Sequence, residues 1–562
     1  MADDRELTLR ALFTGLVLGA LLTPSNIYSG LKIGWSFNMS IIALLLGFAI
    51  WQALAARLGR PAWSRLESNI TQTSASAAAS IISSGLVAPI PAYTLITGES
   101  LPWGALTAWV FSVSLLGVWV AWYLRPSLVA HSALRFPEGM ATLATLEQIY
   151  GHGREASRRL AVLASAASLA AMVKLVDLAW RLPRWAPSPS LERLTFAFEP
   201  SLLLVGFGGI VGLRVGLSLL VGALLAWGLI APWVVMEGLV RLPPEAQGPQ
   251  FALLIEWLLW PGVALMVCAT LVSLGVRTLR APDRRTRTGP RRLNARPLLG
   301  LLVAGGLVVS LQVGLFGIGL LMALLSIPLS VLLAMVAARV VGATGIPPIG
   351  AIGQVSQLGF GVLAPGQVAI NLMSANTAGG AAGQCTDLLN DFKVGHALGA
   401  HPGRQVVAQC LGIVIGSLVG VVTYQALIPD PQAMLITPEW PAPAVATWKA
   451  VAEALTGGLA VLTTDVRLAM LAGAVAGLLL GLLDALAPPP LERWLPSAAA
   501  LGLAFIIPAS ISLTMAFGAL LAWLFMARWR SLGERFVIVA AAGLVAGESM
   551  AGVGVSLWQL LS

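Results

Sequence analysis

Residues 344 to 404 read TGIPPIGAIGQVSQLGFGVLAPGQVAINLMSANTAGGAAGQCTDLLNDFKVGHALGAHPGR, and this stretch decides how the rest of the chain must fold. It lies between two long apolar blocks, yet it is rich in amide, carboxylate and ammonium side chains. These are Gln354, Gln357, Gln367, Asn371, Asn376, Gln384, Asp387, Asn390, Asp391 and Lys393. Glycine and proline recur through the stretch, which argues against long unbroken helices in it. Polar, irregular backbone at membrane depth is tolerated only where protein buries it or where it lines a water-filled cavity. We therefore predict that the other segments shelter this one and that it lines a path for solutes.

The composition of the chain is typical of a polytopic helical membrane protein. Of its 562 residues, 57% are hydrophobic and only 10% are charged, and the mean hydropathy is +0.85. A soluble domain carries about a quarter charged residues. The succession of apolar runs predicts an all-α fold of about 14 transmembrane helices, within a range of about 12 to 16, some of them broken or re-entrant.

The charged residues and cysteines exclude several other classes of protein. The net charge is +9, but the basic residues cluster in short loops between apolar runs, which is typical of cytoplasmic loops beside a lipid bilayer rather than of nucleic-acid binding. The three cysteines lack metal-ligand spacing, and HExxH, GxSxG and CxxC motifs are absent from the sequence. We expect no metal, no cofactor and no enzymatic activity.

A basic segment divides the sequence into two parts of similar size. Residues 277 to 296 read RTLRAPDRRTRTGPRRLNAR, with eight arginines and one aspartate, and predict a disordered cytoplasmic loop. We predict an N-terminal transmembrane half at 1–276, a basic linker at 277–297 and a C-terminal transmembrane half at 298–562. The two halves are open to being related repeats. The same charge pattern predicts a cytoplasmic N-terminus and insertion in the inner (cytoplasmic) membrane.

Three polar groups in the N-terminal half are candidates for substrate binding. SNIYSGLKIG (25–34) carries Asn26, Tyr28 and Lys32, and the ammonium of Lys32 either faces a cavity or extends to the membrane surface. In ESNITQTSASAAAS (67–80), a helix brings Asn69, Gln72 and Thr73 onto one face, which either lines the path or packs against a neighbour. RFPEGMATLATLEQIYG (135–151) is too short and too polar to cross. Its Glu138 either stabilises a first helical turn or faces a cavity.

Polar residues of the C-terminal half are candidates for substrate binding and for proton coupling. Asn371, Asn376 and Gln384 can hydrogen-bond the amides or carboxylates of a substrate. Asp387 and Asp391 are four positions apart and share a helix face, where two carboxylates in a low-dielectric cavity repel each other and one can hold a proton.

Two alternatives remain open for this acidic pair. Asp391 pairs with Lys393, or both aspartates lie at a cytoplasmic helix end near His396 and Arg404. Glu548, inside an apolar span, is a third coupling candidate. Lys174 and Asp177 are three apart, and we expect them to form a structural ion pair.

The sequence resembles the oligopeptide transporter superfamily, and within it the yellow-stripe-like branch, as a bacterial member. The resemblance is carried by six stretches in matching order over nearly the whole chain. They are LTLRALFTGLVLGALL (7–22) with GLKIG (30–34), ESNITQTSASAAAS, RFPEGMATLATL, CTDLLNDFKVGHALGAHPGRQVVAQCLGIVIGSLVG (385–420), PSAAALGLAFIIPASISL (496–513) and GLVAGES (543–549). DLLNDFK (387–393) is the most specific of them.

The resemblance implies a secondary transporter that imports oligopeptides or metal-chelate complexes with protons as the coupling ion. It leaves the oligomeric state open. Glu138 stands in a P-E-G sequence where plant members often have other small residues, so the resemblance leaves plant-type chelate specificity open. The alternatives are a channel, which cannot accumulate solute against a gradient, and a receptor or scaffold that does not transport.

Overall fold

The computed structural model describes a chain that is helical nearly throughout. It covers residues 5–34, 38–58, 63–130, 132, 134–151, 153–180, 182–243, 248–280, 295–345, 347–458, 462–488, 491 and 494–561. Over these ranges the extended backbone pairing consists of one isolated antiparallel bridge between Trp185 and Phe198. Most of the predicted basic linker, residues 281–294, lies outside the described residues, so its disorder stays a prediction.

Among the described residues, eleven helices precede the basic linker. They are α1 (Leu9–Ile33), α2 (Ser40–Leu58), α3 (Arg65–Ala79), α4 (Pro89–Thr97), α5 (Trp103–Arg125), α6 (Pro137–Gly151), α7 (Gly153–Trp180), α8 (Pro189–Arg193), α9 (Leu202–Ala223), α10 (Ala231–Met236) and α11 (Phe251–Arg280). A 3₁₀ turn at Ser80–Ser84 follows α3, and π-helical turns at Pro126–Ala130 and Leu224–Ile230 follow α5 and α9.

The remaining helices occupy the C-terminal part of the chain. They are α12 (Ala295–Phe316), α13 (Leu320–Thr344), α14 (Ile349–Leu363), α15 (Val368–Leu398), α16 (Pro402–Leu427), α17 (Pro431–Met434), α18 (Pro443–Thr456), α19 (Thr464–Leu486), α20 (Ala498–Ile506), α21 (Ala509–Arg528) and α22 (Arg530–Leu561). Helix α20 ends at Ile506 and α21 begins at Ala509, so the helical run breaks at Pro508, whose ring is not compatible with a helix interior.

The predicted class of a polytopic helical membrane protein is confirmed. Within the ranges given above, twelve helical segments are long and apolar enough to cross a membrane, which falls inside the predicted range. Neither α6, which holds Glu138, nor the polar helix α15 is among these apolar spans. The short and polar α6 is as the sequence predicts.

The helices form two compact units, and each unit draws on both ends of the chain. Unit 1 comprises Met1–Ile27, Ser36–Leu160 and Ala281–Ala426, and unit 2 comprises Tyr28–Trp35, Ala161–Arg280 and Leu427–Ser562. The division of the sequence into two transmembrane halves, and their relation as repeats, stays a prediction about the chain.

Unit 1 is built around α15, and here one expectation was wrong. Despite its glycines, the segment from Val368 to Leu398 is one continuous helix of 31 residues. Its glycines do not break it because they serve close packing, which is how small residues act between membrane helices. A Cβ on Gly380 would lie 2.5 Å from Val113, and a Cβ on Gly117 of α5 would lie 2.5 Å from the Ala381 carbonyl oxygen.

Unit 2 is held together by the same kind of contact. In α19, Gly473, Gly477 and Gly481 recur every four residues and face the backbone of α11, where a Cβ would come within 2.3 to 2.6 Å of carbonyl oxygens. Helix α9 and helix α21 approach equally closely, through Gly208 and Gly518. The spacing of these glycines places them on one face of each helix, so each pair of helices packs nearly backbone to backbone.

Candidate functional site

Helix α15 carries most of the polar residues that the sequence singles out, and its neighbours bury nearly all of them. Asn371, Asn376 and Gln384 are fully enclosed, and Asp391 is 2% exposed. Asp387 is partly buried. Within unit 1, α15 packs against α3, α5, α13 and α14. Because the enclosed side chains among these cannot reach bulk water, each of them must find its partners inside the protein or leave a polar atom unsatisfied.

Glu138 joins the first turn of α6 to α15. Its Oε2 accepts hydrogen bonds from the side-chain amides of Asn390 at 3.1 Å and Asn38 at 3.4 Å. The backbone N–H of Gly139 donates to Asn390 Oδ1 at 3.3 Å. Burial raises the pKa of Glu138 above its ordinary value of 4.5, and the amide of Asn38 opposes that shift. Glu138 therefore bonds to α15 and to the segment before α2, and a role for Glu138 in lining a solute path stays a prediction.

Asp387 and Asp391 lie close to Glu138, and we call the three the acidic cluster. The Ser80 hydroxyl faces Asp387, and Gln72 and Ser40 face Asp391. The three carboxylates are near enough to interact electrostatically. Three such groups in a low-dielectric environment cannot all be ionised without a large cost, so the cluster favours holding at least one proton.

Lys393, which the sequence offers as a partner for Asp391, and Arg404, which it offers as a marker of a nearby helix end, are both engaged elsewhere. Lys393 Nζ donates to the Leu134 carbonyl at 2.9 Å. Arg404 Nη1 bonds Glu6 Oε2 at 3.0 Å. Over the ranges that the structure covers, neither cation forms an ion pair with Asp391, so the acidic cluster keeps its charge uncompensated.

Several buried polar atoms around Asp391 have unmet hydrogen-bonding capacity. Asp391 Oδ2 has no hydrogen-bond partner among the residues described, and the same holds for four other buried polar atoms of unit 1. These four are Gln72 Oε1, Asn69 Nδ2, Ser40 Oγ and Gln409 Oε1. A group of unsatisfied buried polar atoms is costly and calls for an explanation, such as water, an ion or a transported solute.

The three amides predicted to bind substrate form hydrogen bonds between helices, and their role in binding stays a prediction. Asn371 Nδ2 donates to the Gln357 carbonyl at 2.8 Å, and Asn371 Oδ1 accepts from Gln357 Nε2 at 3.1 Å. In the orientation that satisfies its neighbours, Asn376 donates to the Ser84 carbonyl at 3.1 Å and accepts from Trp109 Nε1 at 2.6 Å.

Gln384 occupies an intermediate position between a helix link and the acidic cluster. Its Nε2 donates to the Ala77 carbonyl at 3.3 Å, and its Oε1 accepts from Gln409 Nε2 at 3.1 Å. Gln384 thus contacts Gln409, whose Oε1 is one of the unsatisfied atoms.

Thr73 accepts from Gln72 Nε2 at 3.2 Å, and the same nitrogen bonds Asn69 Oδ1 at 3.2 Å. Asn26 lies in a separate link, donating to the Ala79 carbonyl at 3.0 Å.

Unit 2 contains a second polar site, which we call the charged cavity. Its volume is about 50 Å³. It is lined by Tyr28, Lys32, Lys174, Asp177, Arg184, Glu199, Pro200, Ser201, Leu203, Leu204, Ile511 and Glu548. Tyr28 and Lys32, which the sequence proposes as one group, meet Glu548, which it proposes apart from them, in this cavity.

Glu548 belongs to α22, but its carboxylate reaches the N-terminus of α9. The residue is only 4% exposed. Its carboxylate accepts from the Ser201 hydroxyl at 2.8 Å and from the Leu203 backbone N–H at 2.7 Å. A carboxylate is favoured at a helix N-terminus, where backbone N–H groups lack partners within the helix. The ion pair predicted between Lys174 and Asp177 is confirmed, with 3.3 Å between Nζ and Oδ2.

Sequence reasoning missed several residues of both sites. In unit 1 these are Asn38, Ser40, Gln409 and Gln405, whose side-chain amide donates to the Asp391 carbonyl at 2.8 Å, and in unit 2 they are Arg184, Glu199 and Ser201. Gln405 and Gln409 stand four apart inside an apolar span, and this spacing is a signal that could have found them. In the part of the chain that the structure covers, no group of three His, Cys, Asp or Glu side chains is arranged to hold a metal ion.

Comparison with known proteins places the chain among membrane transporters. A family model described as "OPT oligopeptide transporter protein" matches residues 6–281 and 296–559. The chain is 24% identical to a Saccharomyces cerevisiae protein classed as an oligopeptide transporter, over 73% of this chain and 76% of that protein. It is 24% identical to a rice protein (Oryza sativa subsp. japonica) classed as a metal-nicotianamine transporter, over 97% and 88% of the two chains. It is also 25% identical to a Haemophilus influenzae protein classed as an oligopeptide transporter, over 94% and 91%.

Proposed function

The chain belongs to the OPT oligopeptide transporter family, and on that premise we propose that it is a secondary active transporter that imports oligopeptides or metal-chelate complexes together with protons. The family consists of membrane transporters rather than enzymes. The protein is a multi-pass membrane protein. We place it in the cytoplasmic membrane, with its N-terminus and the linker at 277–297 on the cytoplasmic side.

The observation that carries the proposal is the unpartnered oxygen of Asp391 inside the acidic cluster. A carboxylate that is 2% exposed and lies beside Asp387 is stabilised when one of the two is protonated. Protonation of one carboxylate removes the repulsion between the two, so the site can be closed off from water. Release of the proton restores the repulsion. A group of this kind can gain a proton from one side of the membrane and lose it to the other.

The polar face of α3 is the proposed substrate-binding surface next to the acidic cluster. Asn69 and Gln72 each have a buried polar atom that finds no partner in the part of unit 1 that the structure describes, so they can bond a solute at little cost. Amide side chains match both amide and carboxylate groups of a peptide or chelate. Asn371 and Asn376 are already engaged between helices and are proposed only to hold α15 in place.

Proton coupling is also proposed for Glu548, with substrate contacts for Tyr28 and Lys32 in the charged cavity. Glu548 is a buried carboxylate in an apolar span, where ionisable residues are retained for function. Its bonds to Ser201 and Leu203 stabilise the ionised form. Protonation of Glu548 therefore weakens the favourable interaction of its negative charge with the N-terminus of α9.

Uptake into proteoliposomes tests the proposal. The purified chain is reconstituted with a pH gradient, acid outside, and supplied with labelled di- to hexapeptides and with metal chelates. A proton-coupled importer accumulates a substrate above its external concentration, and a proton ionophore abolishes that accumulation. A channel gives at most equal concentrations on the two sides. Absence of saturable uptake for every peptide and chelate contradicts the proposal and favours a receptor or scaffold.

A further inference from the structure

The charged cavity of unit 2 contains three carboxylates, and each of them already has donors. Glu548 accepts from Ser201 and the Leu203 N–H, as given above. Glu199 accepts from the Ser510 hydroxyl at 3.0 Å. Asp177 bonds Lys174 and also accepts from the Leu182 N–H at 3.2 Å. The acidic side of the cavity is therefore satisfied by the protein itself.

The basic side of the cavity is not satisfied in the same way. Of its three cations, Lys174 is paired with Asp177. Neither Lys32 nor Arg184 has a carboxylate partner in the portion of the chain covered by the structure. Lys32 instead lies over the ring of Trp440, with 5.3 Å from Nζ to the ring centroid. The cavity thus holds as many cations as carboxylates, and Glu199 and Glu548 interact with Lys32 electrostatically, but the described residues give neither Lys32 nor Arg184 a direct ion pair.

Lys32 is held in place by its surroundings. The Ala442 N–H donates to the Leu31 carbonyl at 3.0 Å, which joins the end of α1 to the segment before α18. Trp440 packs edge to face on Tyr28, with ring centroids 5.2 Å apart. An ammonium that is positioned before a ligand arrives loses less entropy on binding, which favours affinity and selectivity.

We propose that the charged cavity is an anion-binding site that takes one carboxylate group of a ligand between Lys32 and Arg184. A volume of about 50 Å³ exceeds the roughly 10–15 Å³ that one water requires and suits a small group, but it does not hold a whole peptide. Ammonium and guanidinium groups are the usual partners of carboxylates in proteins. This site depends on the proposed function only for the molecule that supplies the carboxylate. That molecule is either a peptide, through its C-terminus, or a chelator, through one of its arms.

Binding to the purified full-length chain in detergent tests this site without any gradient. The probes are trialanine, trialanine C-terminal amide, ferric citrate and acetate, each titrated while thermal unfolding is followed. The variant Lys32→Met removes the charge, Lys32→Arg keeps it, and Arg184→Gln removes the second cation from an exposed loop position. Lys449→Met is the matched control, because Lys449 pairs with Glu453 away from the cavity in the same unit.

We expect at least one carboxylate probe to stabilise the wild type in a saturable manner. Lys32→Met and Arg184→Gln should each weaken its binding by about ten-fold or more, whereas Lys32→Arg and Lys449→Met should bind within about two-fold of the wild type. Binding of trialanine but not of its amide identifies a peptide C-terminus, binding of ferric citrate alone identifies a chelate, and equal binding of acetate identifies a general anion site.

Three results overturn the proposal. They are failure of every carboxylate probe to bind, equal binding of trialanine and its amide where trialanine is the ligand, and unchanged binding in both Lys32→Met and Arg184→Gln. Because the assay reads binding alone, a chain that binds carboxylates but never accumulates solute contradicts only the transport proposal. A chain that accumulates solute but binds it equally well without either cation contradicts only the carboxylate site.

Discussion

Glu138 and Asn390 lie 252 positions apart in the chain, and the Asn390 amide donates to the Glu138 carboxylate at 3.1 Å. This bond ties the short helix α6 to α15 at the acidic cluster. Since neither α6 nor α15 is an apolar span, the contact joins two polar helices and brings the partly buried carboxylate of Glu138 to the residues proposed to carry protons. The ionisation state of Glu138 should therefore affect the stability of the protein as well as transport.

We expect the pH dependence of stability to change in Glu138→Gln. Burial raises the pKa of Glu138 in the folded state, so the folded chain binds more protons there than the unfolded chain at pH values above about 4.5. Wild-type stability should thus fall as pH rises from about 4.5 to the folded-state pKa, and the fall should be smaller in Glu138→Gln. Thermal unfolding in detergent between pH about 4.5 and about 7.5 measures the difference.

The matched control for that experiment is Glu147→Gln, a change at an exposed position of the same helix. Its melting temperature should follow the wild-type pH profile. Equal slopes for Glu138→Gln and the wild type would show that Glu138 does not contribute to the pH dependence.

Gly117→Ala should destabilise the protein by separating α5 from α15. The added Cβ would lie 2.5 Å from the Ala381 carbonyl oxygen, which belongs to helix backbone that cannot move alone. Overpacking of this kind costs about 1–3 kcal/mol in the free energy of unfolding. Gly104→Ala in the same helix meets nothing within 4 Å and should be neutral or slightly stabilising. Denaturant titration of both variants measures the contrast, and equal stability of the two rules out the close approach.

Arg10→Met should leave a buried charge without its partner. Arg10 binds Glu67 through two bonds of 2.6 Å, and the Glu67 side chain is fully buried. Removing one member of such a pair costs about 3–5 kcal/mol in the free energy of unfolding, because the remaining charge stays enclosed. Arg10→Met combined with Glu67→Gln removes both charges and should recover part of that loss. A double variant no more stable than Arg10→Met would mean that lost packing, rather than the stranded carboxylate, sets the cost.

Ser201→Ala and Glu548→Gln separate capping of α9 from proton coupling. Ser201 bonds both Glu548 and the Leu204 N–H, so its loss should cost about 1 kcal/mol of stability while leaving gradient-driven accumulation intact. Glu548→Gln keeps an acceptor oxygen but cannot exchange a proton, so the fold should persist and accumulation should be lost. Unfolding curves and uptake are compared for the two variants. Normal accumulation in Glu548→Gln would assign Glu548 to capping alone.

Features that depend on short sequence separation could be predicted from the sequence. The Lys174–Asp177 pair follows from a spacing of three on a helix, and the break before α21 follows from Pro508. The membrane class follows from composition. In each case the energetics are local or are set by the average polarity of a segment.

Features that depend on long-range packing could not be predicted in the same way. The bond from Ser201 to Glu548 spans 347 positions, and no pattern near either residue encodes it. The continuity of α15 was also missed, because glycine weakens an isolated helix, but here the close packing that it allows outweighs that cost. Asn371 and Asn376 were recognised as unusual polar residues. Whether they bond helices or solute depends on the neighbours that the fold supplies.

The most direct test of proton coupling by the acidic cluster is accumulation of an identified substrate in proteoliposomes that contain Asp391→Asn or Asp387→Asn. A pH gradient drives uptake, and exchange of labelled for unlabelled substrate without a gradient serves as the control for folding and binding. We predict that both variants still exchange substrate but no longer accumulate it, because an amide cannot bind and release the coupling proton. Accumulation at the wild-type level in both variants would contradict the coupling role of the acidic cluster.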